Sequence, residues 1–304
     1  MNQIEWIAVD WGTSRMRLWA LNAQGEIVES AASELGMAKI AQGQFETTLL
    51  QLIEPWLTGQ TKPLPVIACG MVGARQGWQE VPYEAVPCSP SSQLSNVKTE
   101  SQQVNVQICW GLKQQVPADV MRGEETQIAG LLHHQGSSYE GVACLPGTHC
   151  KWANLAAGQV IEFQSYMTGE LYELLAKNSV LRFSIHDDDW HTEVFDKAVR
   201  AALDEPGSIT GRLFGLRAES LVGNSAGYGS AARLSGYLIG LELASARRFW
   251  ESNKVSIIGA SGLAKHYQRA LKLVGCSAHL LDTEAMTLAG LKAAYEAYKV
   301  ESDV

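Results

Sequence analysis

Charge is scarce in this chain. Only 18% of its 304 residues are Asp, Glu, Lys or Arg, and 24 basic against 32 acidic residues leave a formal charge of −8. Such a chain lacks the basic footprint that binding to a nucleic-acid backbone or an anionic membrane surface requires. No apolar run approaches the ~18 residues of a membrane-spanning helix, and the N-terminus, MNQIEWIAVDWG, has no basic segment ahead of an apolar one. The six cysteines, at 69, 88, 109, 144, 150 and 276, include no C-x-x-C pair and sit among apolar residues. Metal-finger spacing is thus missing, a disulfide framework is not expected, and buried thiols in a reducing, cytoplasmic setting are. Neither a G-x-x-x-x-G-K-[ST] phosphate loop nor a G-x-G-x-x-G dinucleotide fingerprint occurs. What remains is 46% apolar, ordinary globular material, which excludes disordered and collagen-like chains. At ~100–200 residues per domain the length suggests two domains. Small molecules are the expected partners, and a homo-oligomer stays open.

An internal echo organises the chain. IAVDWGTSRMRLWALNAQGEIVES (7–30) and VACLPGTHCKWANLAAGQVIEF (142–163) each read as an apolar strand, a Gly-Thr turn, a second strand containing Trp, a glycine turn and a third strand. Gly12-Thr13 and Gly147-Thr148 lie 135 residues apart. The pattern predicts an antiparallel three-strand meander in each half. FETTLLQLIEPWL (45–57) has helical spacing and PVIACG (65–70) reads as a buried strand ending in glycine; in the second half KVSIIGASGLAKHYQRALKLVG (254–275) reads as strand, glycine turn and helix. RGEETQIAGLL (122–132) and TEAMTLAGLK (283–292) each form a helix with an Ala-Gly step, which predicts a close helix crossing between the halves. PCSPSSQLSNVKTESQQVN (87–105) reads as a surface excursion. LSGYLIGLELASARRFW (234–250) reads as a core helix whose small residues permit tight packing.

Three turns carry residues suited to a nucleotide. In DWGTSR (10–15) the backbone N–H groups from Gly12 and the hydroxyls of Thr13 and Ser14 suit phosphate oxygens. There Asp10 suits Mg²⁺, directly or through water, and Arg15 suits phosphoryl charge. In LPGTHCK (145–151) Gly147, Thr148, His149 and Lys151 can serve phosphate from a second turn that has no acid of its own. In SIIGASGL (256–263) the turn at Gly259, Ala260 and Ser261 opens a helix, and a ribose or base can lie against its backbone. HDDDWH (186–191) is more economically a solvated acidic loop than a metal site, and His133-His134 are residues of a helix end.

Together these motifs resemble the actin, sugar kinase and Hsp70 superfamily. More narrowly, VDWGTSRMRLW (9–19), ACGMVGARQGW (68–78), VMRGEETQIAG (120–130), LPGTHCKW (145–152), MTGEL (167–171) and LSGYLIGLEL (234–243) resemble the 2-dehydro-3-deoxygalactonokinase family. The resemblance implies an α/β chain of two related ribonuclease H-like (actin-like ATPase) lobes, 1–137 and 138–304, each a mixed five-stranded sheet with helices. It implies ATP in the cleft between them and the last helix, 283–299, at their junction. It further implies ATP and Mg²⁺ as the cofactor set and a sugar-acid hydroxyl as phosphoryl acceptor. In related kinases an acid opening the connecting helix takes the hydroxyl proton. Glu124 occupies that place, with Asp119 and Glu125 as alternatives, and Glu here stands where those kinases usually carry Asp. For the acceptor's carboxylate, Arg75 and Arg122 offer guanidinium forks; Gly70 and Met71 allow close approach, and Glu170 can accept sugar hydroxyls. Trp78 reads as core. A gluconate-series epimer, or an ATPase of the actin and Hsp70 type without a small acceptor, stays open as an alternative.

Overall fold

The computed structural model describes residues 3–136, 138–185, 190–223 and 228–302. Residues 186–189, the HDDD of HDDDWH, lie outside the described residues. By their contacts the residues sort into two units. Unit 1 comprises the chain up to Tyr139 together with Leu155–Glu162 and the segment from Thr283 on; unit 2 comprises Glu140–Asn154 and Phe163–Asp282.

The first unit is built on a six-stranded sheet. β1 (Trp6–Trp11), β2 (Met16–Leu21) and β3 (Ile27–Ser33) form the antiparallel meander that the strand–turn pattern predicts. β4 (Leu64–Gly70) then lies parallel to β1 and β7 (Val104–Cys109) parallel to β4. The sixth strand is β6 (Leu94–Val97), antiparallel to β7 at the sheet edge. This corrects two expectations: the sheet has six strands rather than five, and part of the 87–105 excursion belongs to it. Its polar residues hide the strand because they are satisfied locally. Asn96 accepts from Gln107 Nε2 at 2.9 Å and Ser95 from Trp110 Nε1 at 2.7 Å, while Val97 is buried. A small second sheet carries β5 (Tyr83–Ala85), β8 (Gly111–Gln114) and β9 (Asp119–Met121).

Strand alternation distributes the core. Ile7, Val9 and Trp11 of β1 face α1 (Phe45–Leu57), joining Phe45, Leu49 and Ile53. Trp6 and Ala8, of opposite parity, join Trp19, Leu21, Ile67 and Cys69 on the other face. That face is covered by the C-terminal helix, Thr283–Ser302, which α2 (Glu124–Gln135) crosses in turn. Leu291, Ala294 and Tyr295 of the last helix pack on the sheet, with the Tyr295 ring stacked on Trp6 at 4.3 Å. The division at 137/138 put this helix with the second half; in the structure it belongs to unit 1, because its apolar residues complete the first sheet's core.

The two helices with Ala-Gly steps do cross closely, and both lie in unit 1. A Cβ on Gly130 would collide with the Met286 carbonyl oxygen, and one on Gly290 with the Thr126 carbonyl oxygen.

The second meander and its parallel extension form the sheet of unit 2, apart from the Leu155–Glu162 hairpin, which sorts with unit 1. β10 (Gly141–Leu145), β11 (Cys150–Ala156) and β12 (Gln159–Tyr166) are followed by α3 (Thr168–Glu173), α4 (Thr192–Asp204), α5 (Ile209–Val222), α6 (Ser230–Ser245) and α7 (Arg247–Trp250). β13 (Val255–Ile258), α8 (Ser261–Leu273) and β14 (Ala278–Leu281) then return to the sheet, whose order is β12-β11-β10-β13-β14. The remaining helix, Thr283–Ser302, is α9. α6 packs against α4 through Gly236 and Gly240: a Cβ on either would lie 2.6 Å from the Phe195 or Val199 carbonyl oxygen.

Candidate active site

In each unit two adjacent parallel strands end side by side, β1 with β4 and β10 with β13. Ligands of α/β sheets gather at such carboxyl ends, where backbone groups turn away from the ladder. Three of the four strands are followed by one of the turns singled out above, and β4 ends on Gly70.

In unit 1 the turn after β1 is closed by Gly12 N–H donating to the Arg15 carbonyl at 2.9 Å. Met37 and Ala38 donate to the Gly12 and Thr13 carbonyls at 2.9 and 3.0 Å, buttressing it from behind and leaving Thr13 and Ser14 exposed. Arg15 points outward, 78% exposed, with Nε 3.3 Å from Glu34. The cation beside Asp10 is instead Arg17, directly across the hairpin. Its Nε and Nη2 donate to Asp10 Oδ2 at 3.2 and 2.5 Å, and Nη1 to Glu284 of α9 at 3.4 Å. Sequence reasoning passed over Arg17, although counting back from the turn pairs position 10 with 17.

Asp10 Oδ1 faces the end of β4. Gly70 has φ +91°, and a Cβ on it would lie 2.8 Å from the Trp11 carbonyl and 3.6 Å from Asp10 Oδ1. Gly123, with φ +105°, would place a Cβ 3.4 Å from the Gly70 Cα, so the start of α2 comes against the end of β4 with no side chain between. Asp10, Gly70 and the Gly123-Glu124 corner therefore gather in one place.

The two acids at that corner differ. Glu124 is half-buried and accepts from the Arg122 N–H at 3.1 Å. Glu125 is fully buried and accepts from the Gly123 N–H at 2.6 Å. Burial, reinforced by the neighbouring Glu124 charge, pushes Glu125 up to about 8. Asp119 lies on β9, where its Oδ1 accepts from the Val120 N–H at 2.8 Å.

Met71 opens a single turn, Met71–Gly73, packed partly on the core. Arg122 is held firmly: Nη2 donates to the Val81 carbonyl at 2.8 Å and the guanidinium stacks 4.2 Å from the Tyr83 ring. Its Nη1 is buried with no hydrogen-bond partner among the described residues. Arg75 is 79% exposed, 3.5 Å from Glu80. Trp78 packs with Trp11 and Phe45, as a core residue does.

Unit 2 gathers the remaining candidates. Thr148 and His149 are exposed on the turn after β10, and His149 Nε2 meets Glu170 Oε2 at 2.6 Å. The Glu170 N–H donates to the Thr148 carbonyl at 3.0 Å, and Gly169 is pressed so closely on the Gly147 carbonyl that no Cβ fits. MTGEL thus clasps the second turn, and Glu170 stands at that turn. Lys151 is buried, and its Nζ donates back to the His149 carbonyl at 3.3 Å. A Cβ on Gly259 would lie 3.3 Å from Pro146, so the third turn, Gly259 to Ser261, adjoins the second. A cavity of about 600 Å³ opens there, lined among others by Gly147, Thr148, Ala260 and Gly262. That volume lies within the usual ~300–1,000 Å³ of a small-molecule site.

Among the described residues no group of three His, Cys, Asp or Glu side chains is arranged to hold a metal ion, and no helix is long and apolar enough to cross a membrane.

Comparison with known proteins assigns this arrangement. A Rhizobium meliloti (strain 1021) protein designated probable 2-dehydro-3-deoxygalactonokinase is 36% identical over 300 residues, covering 95% of this chain and 96% of that protein. The Escherichia coli (strain K12) 2-dehydro-3-deoxygalactonokinase is 32% identical over 294 residues, covering 94% and 96%. A Sinorhizobium meliloti crystal structure, described provisionally as a 2-dehydro-3-deoxygalactonokinase, superposes with a TM-score of 0.86 at 35% identity, over 96% of each chain. Each meander continues into a parallel extension, a fold shared with the Sinorhizobium meliloti structure. The 2-keto-3-deoxy-galactonokinase family model matches residues 10–294, from the acid of the first turn to the middle of α9, and the chain belongs to that family.

Proposed function

We propose that this chain transfers the γ-phosphoryl group of ATP to the C6 hydroxyl of 2-dehydro-3-deoxy-D-galactonate, giving ADP and 2-dehydro-3-deoxy-6-phosphogalactonate in galactonate breakdown. The observation that carries the reading is the family match over residues 10–294, which takes in all three turns and both acids at the start of α2.

Phosphoryl transfer depends on positioning and charge neutralisation more than on covalent chemistry. In unit 1 the first Gly-Thr turn serves phosphate and the α2 corner serves the acceptor. Thr13 and Ser14 hydroxyls and the N–H groups of their turn bind phosphate oxygens. Glu124, at the exposed side of the α2 corner, takes the proton from the C6 hydroxyl as that oxygen bonds to the γ-phosphorus and the bond to ADP breaks. Glu125 is unsuited to the same task, since it is buried and a proton occupies it at neutral pH. Arg75, largely exposed, would leave Glu80 to reach the acceptor's carboxylate, and Arg122 Nη1 offers a fixed donor beside Gly73. Unit 2 supplies Thr148 and His149 to phosphate and the Gly259–Ser261 turn to the adenosine. Glu170 holds the His149 ring in place.

Mg²⁺ fits this residue set as a companion of the nucleotide. Asp10 has one oxygen, Oδ1, turned toward the space that Gly70 leaves open, while Arg17 holds the other. Magnesium commonly takes one or two protein carboxylates and completes its shell with phosphate and water. Bound there with ATP, it would screen the phosphate charge. Arg17 keeps Asp10 aimed.

ADP release measured with a panel of sugar acids tests the reading. Stimulation by 2-dehydro-3-deoxy-D-galactonate above the no-acceptor rate is expected. Stimulation by the gluconate epimer alone would reassign the substrate, and acceptor-independent hydrolysis would point to an ATPase.

A further inference from the structure

α6 carries a buried acid that the transfer described above does not use. Glu242 is 3% exposed, and donors from three separate segments surround its carboxylate. Trp152 Nε1 of β11 and Tyr267 Oη of α8 each donate to it at 2.7 Å. Thr168 Oγ1, at the start of α3, donates to Oε2, and the Cys150 thiol of β11 is a fourth donor. A carboxyl group's two oxygens offer about four acceptor positions, and this donor set occupies them. A half-satisfied buried acid would be a liability; a fully satisfied one fixes the relative position of everything that donates to it.

Two of those segments, α3 and α8, line the 600 Å³ cavity, and the third, β11, follows the turn Pro146–Thr148 that lines it. Cys150 and Trp152 follow directly from the second Gly-Thr turn. Thr168 and Gly169 line the cavity, and Gly169 backs onto Gly147. Tyr267 lines it from α8, the helix opened by the Gly259–Ser261 turn. Leu238 and Ile239, one turn before Glu242 on α6, form part of its floor. The phosphate turn, α3 and α8 have no common partner in sequence; they meet at this carboxylate.

We infer that Glu242 is a positioning residue for the nucleotide: its carboxylate sets the spacing of the second Gly-Thr turn, α3 and α8, and so the width of the cavity that takes ATP. The inference rests on the kinase reading given above. Gln at 242 would keep the volume but turn an NH₂ toward the donors, leaving at least one of Trp152, Thr168 and Tyr267 without an acceptor.

The test is calorimetric titration of the full chain with MgADP, which needs no acceptor, alongside steady-state kinetics. Glu242→Gln is expected to weaken MgADP binding about tenfold and raise KM for ATP by a similar factor, with KM for the sugar acid changed less than about twofold. A merely structural role would lower Tm and the active fraction, and hence kcat, while KM for ATP stayed put. Folded Glu242→Gln with wild-type MgADP affinity overturns the inference. Should that variant not fold, Trp152→Phe decides, because Trp152 donates to Glu242 without lining the cavity. Weaker nucleotide binding supports the tether, and unchanged binding overturns it. A wild-type chain that takes up no MgADP brings down the kinase reading and this inference together; wild-type binding matched by the variants brings down the inference alone.

Discussion

Glu124 and Glu125 are neighbours with the same side chain and opposite circumstances. One is half-buried at the first position of α2, the other sealed beneath it. With its folded pKa raised to about 8 from 4.5, Glu125 holds a proton in the folded state that the unfolded chain has released between those pH values. Its contribution is fully present below about pH 4.5, falls as pH rises through that window, and is lost above about 8. Glu125→Gln imitates the protonated form. Its Tm is therefore expected to match the wild type near pH 5 and to exceed it increasingly toward pH 8.5, with turnover kept; a Tm difference independent of pH would refute the assignment. Glu124→Gln is expected to lower kcat by about 10²–10⁴, the usual contribution of a general base, while MgADP still binds by calorimetry. The sequence placed an acid pair at this corner but did not distinguish its members, since desolvation depends on what packs above each residue. Arg17 was legible in principle, because a closed hairpin dictates its cross-strand partner; Arg15 drew attention only by standing nearer in the motif.

Among the elements, the α2–α9 crossing was written in the chain as two Ala-Gly steps. The structure adds that each glycine meets the other helix's backbone. Gly290→Ala should cost at least about 1–3 kcal/mol, the range for overpacking a tight contact, and show as a lowered Tm. Ala at Gly262, where nothing stands within 4 Å, is the control expected to leave Tm within about a degree or two. The meanders were equally legible, because strand alternation and glycine turns are local signals. β6 was not. Its Ser95 and Asn96 read as loop residues until their partners Trp110 and Gln107 are known.

The whole molecule departs from a simple halving of the chain. α9 is the last segment in sequence, yet Leu291, Ala294 and Tyr295 complete a core begun by Trp6 and Ala8. A fragment ending at 139 would expose that face, including Trp6, Trp19, Leu21 and Ile67. It is expected to be unfolded or aggregated by circular dichroism and light scattering, and a single chain ending at 282 should fail likewise. A stable, soluble 1–139 fragment would show that α9 is dispensable. The net charge of −8 acquires a local meaning as well. Under the proposed function, capture of two anionic substrates falls to individual groups such as Arg75 and to Mg²⁺ that Asp10 would hold, with Arg17 already paired with Asp10.

The strand–turn units, their repetition after 135 residues and the family to which the chain belongs could all be read from the amino-acid string. Those features depend on alternation, turn stereochemistry and short motifs, which act between residues a few positions apart. Folding in three dimensions settled which acid is buried, where α9 docks and what Glu242 binds. Each of these is a matter of desolvation or charge pairing between distant positions. Arg17 and Glu284 stand 267 residues apart, and Glu242 reaches back 90 residues to Trp152. No local spacing encodes such pairs, because only packing decides which side chains lose water together.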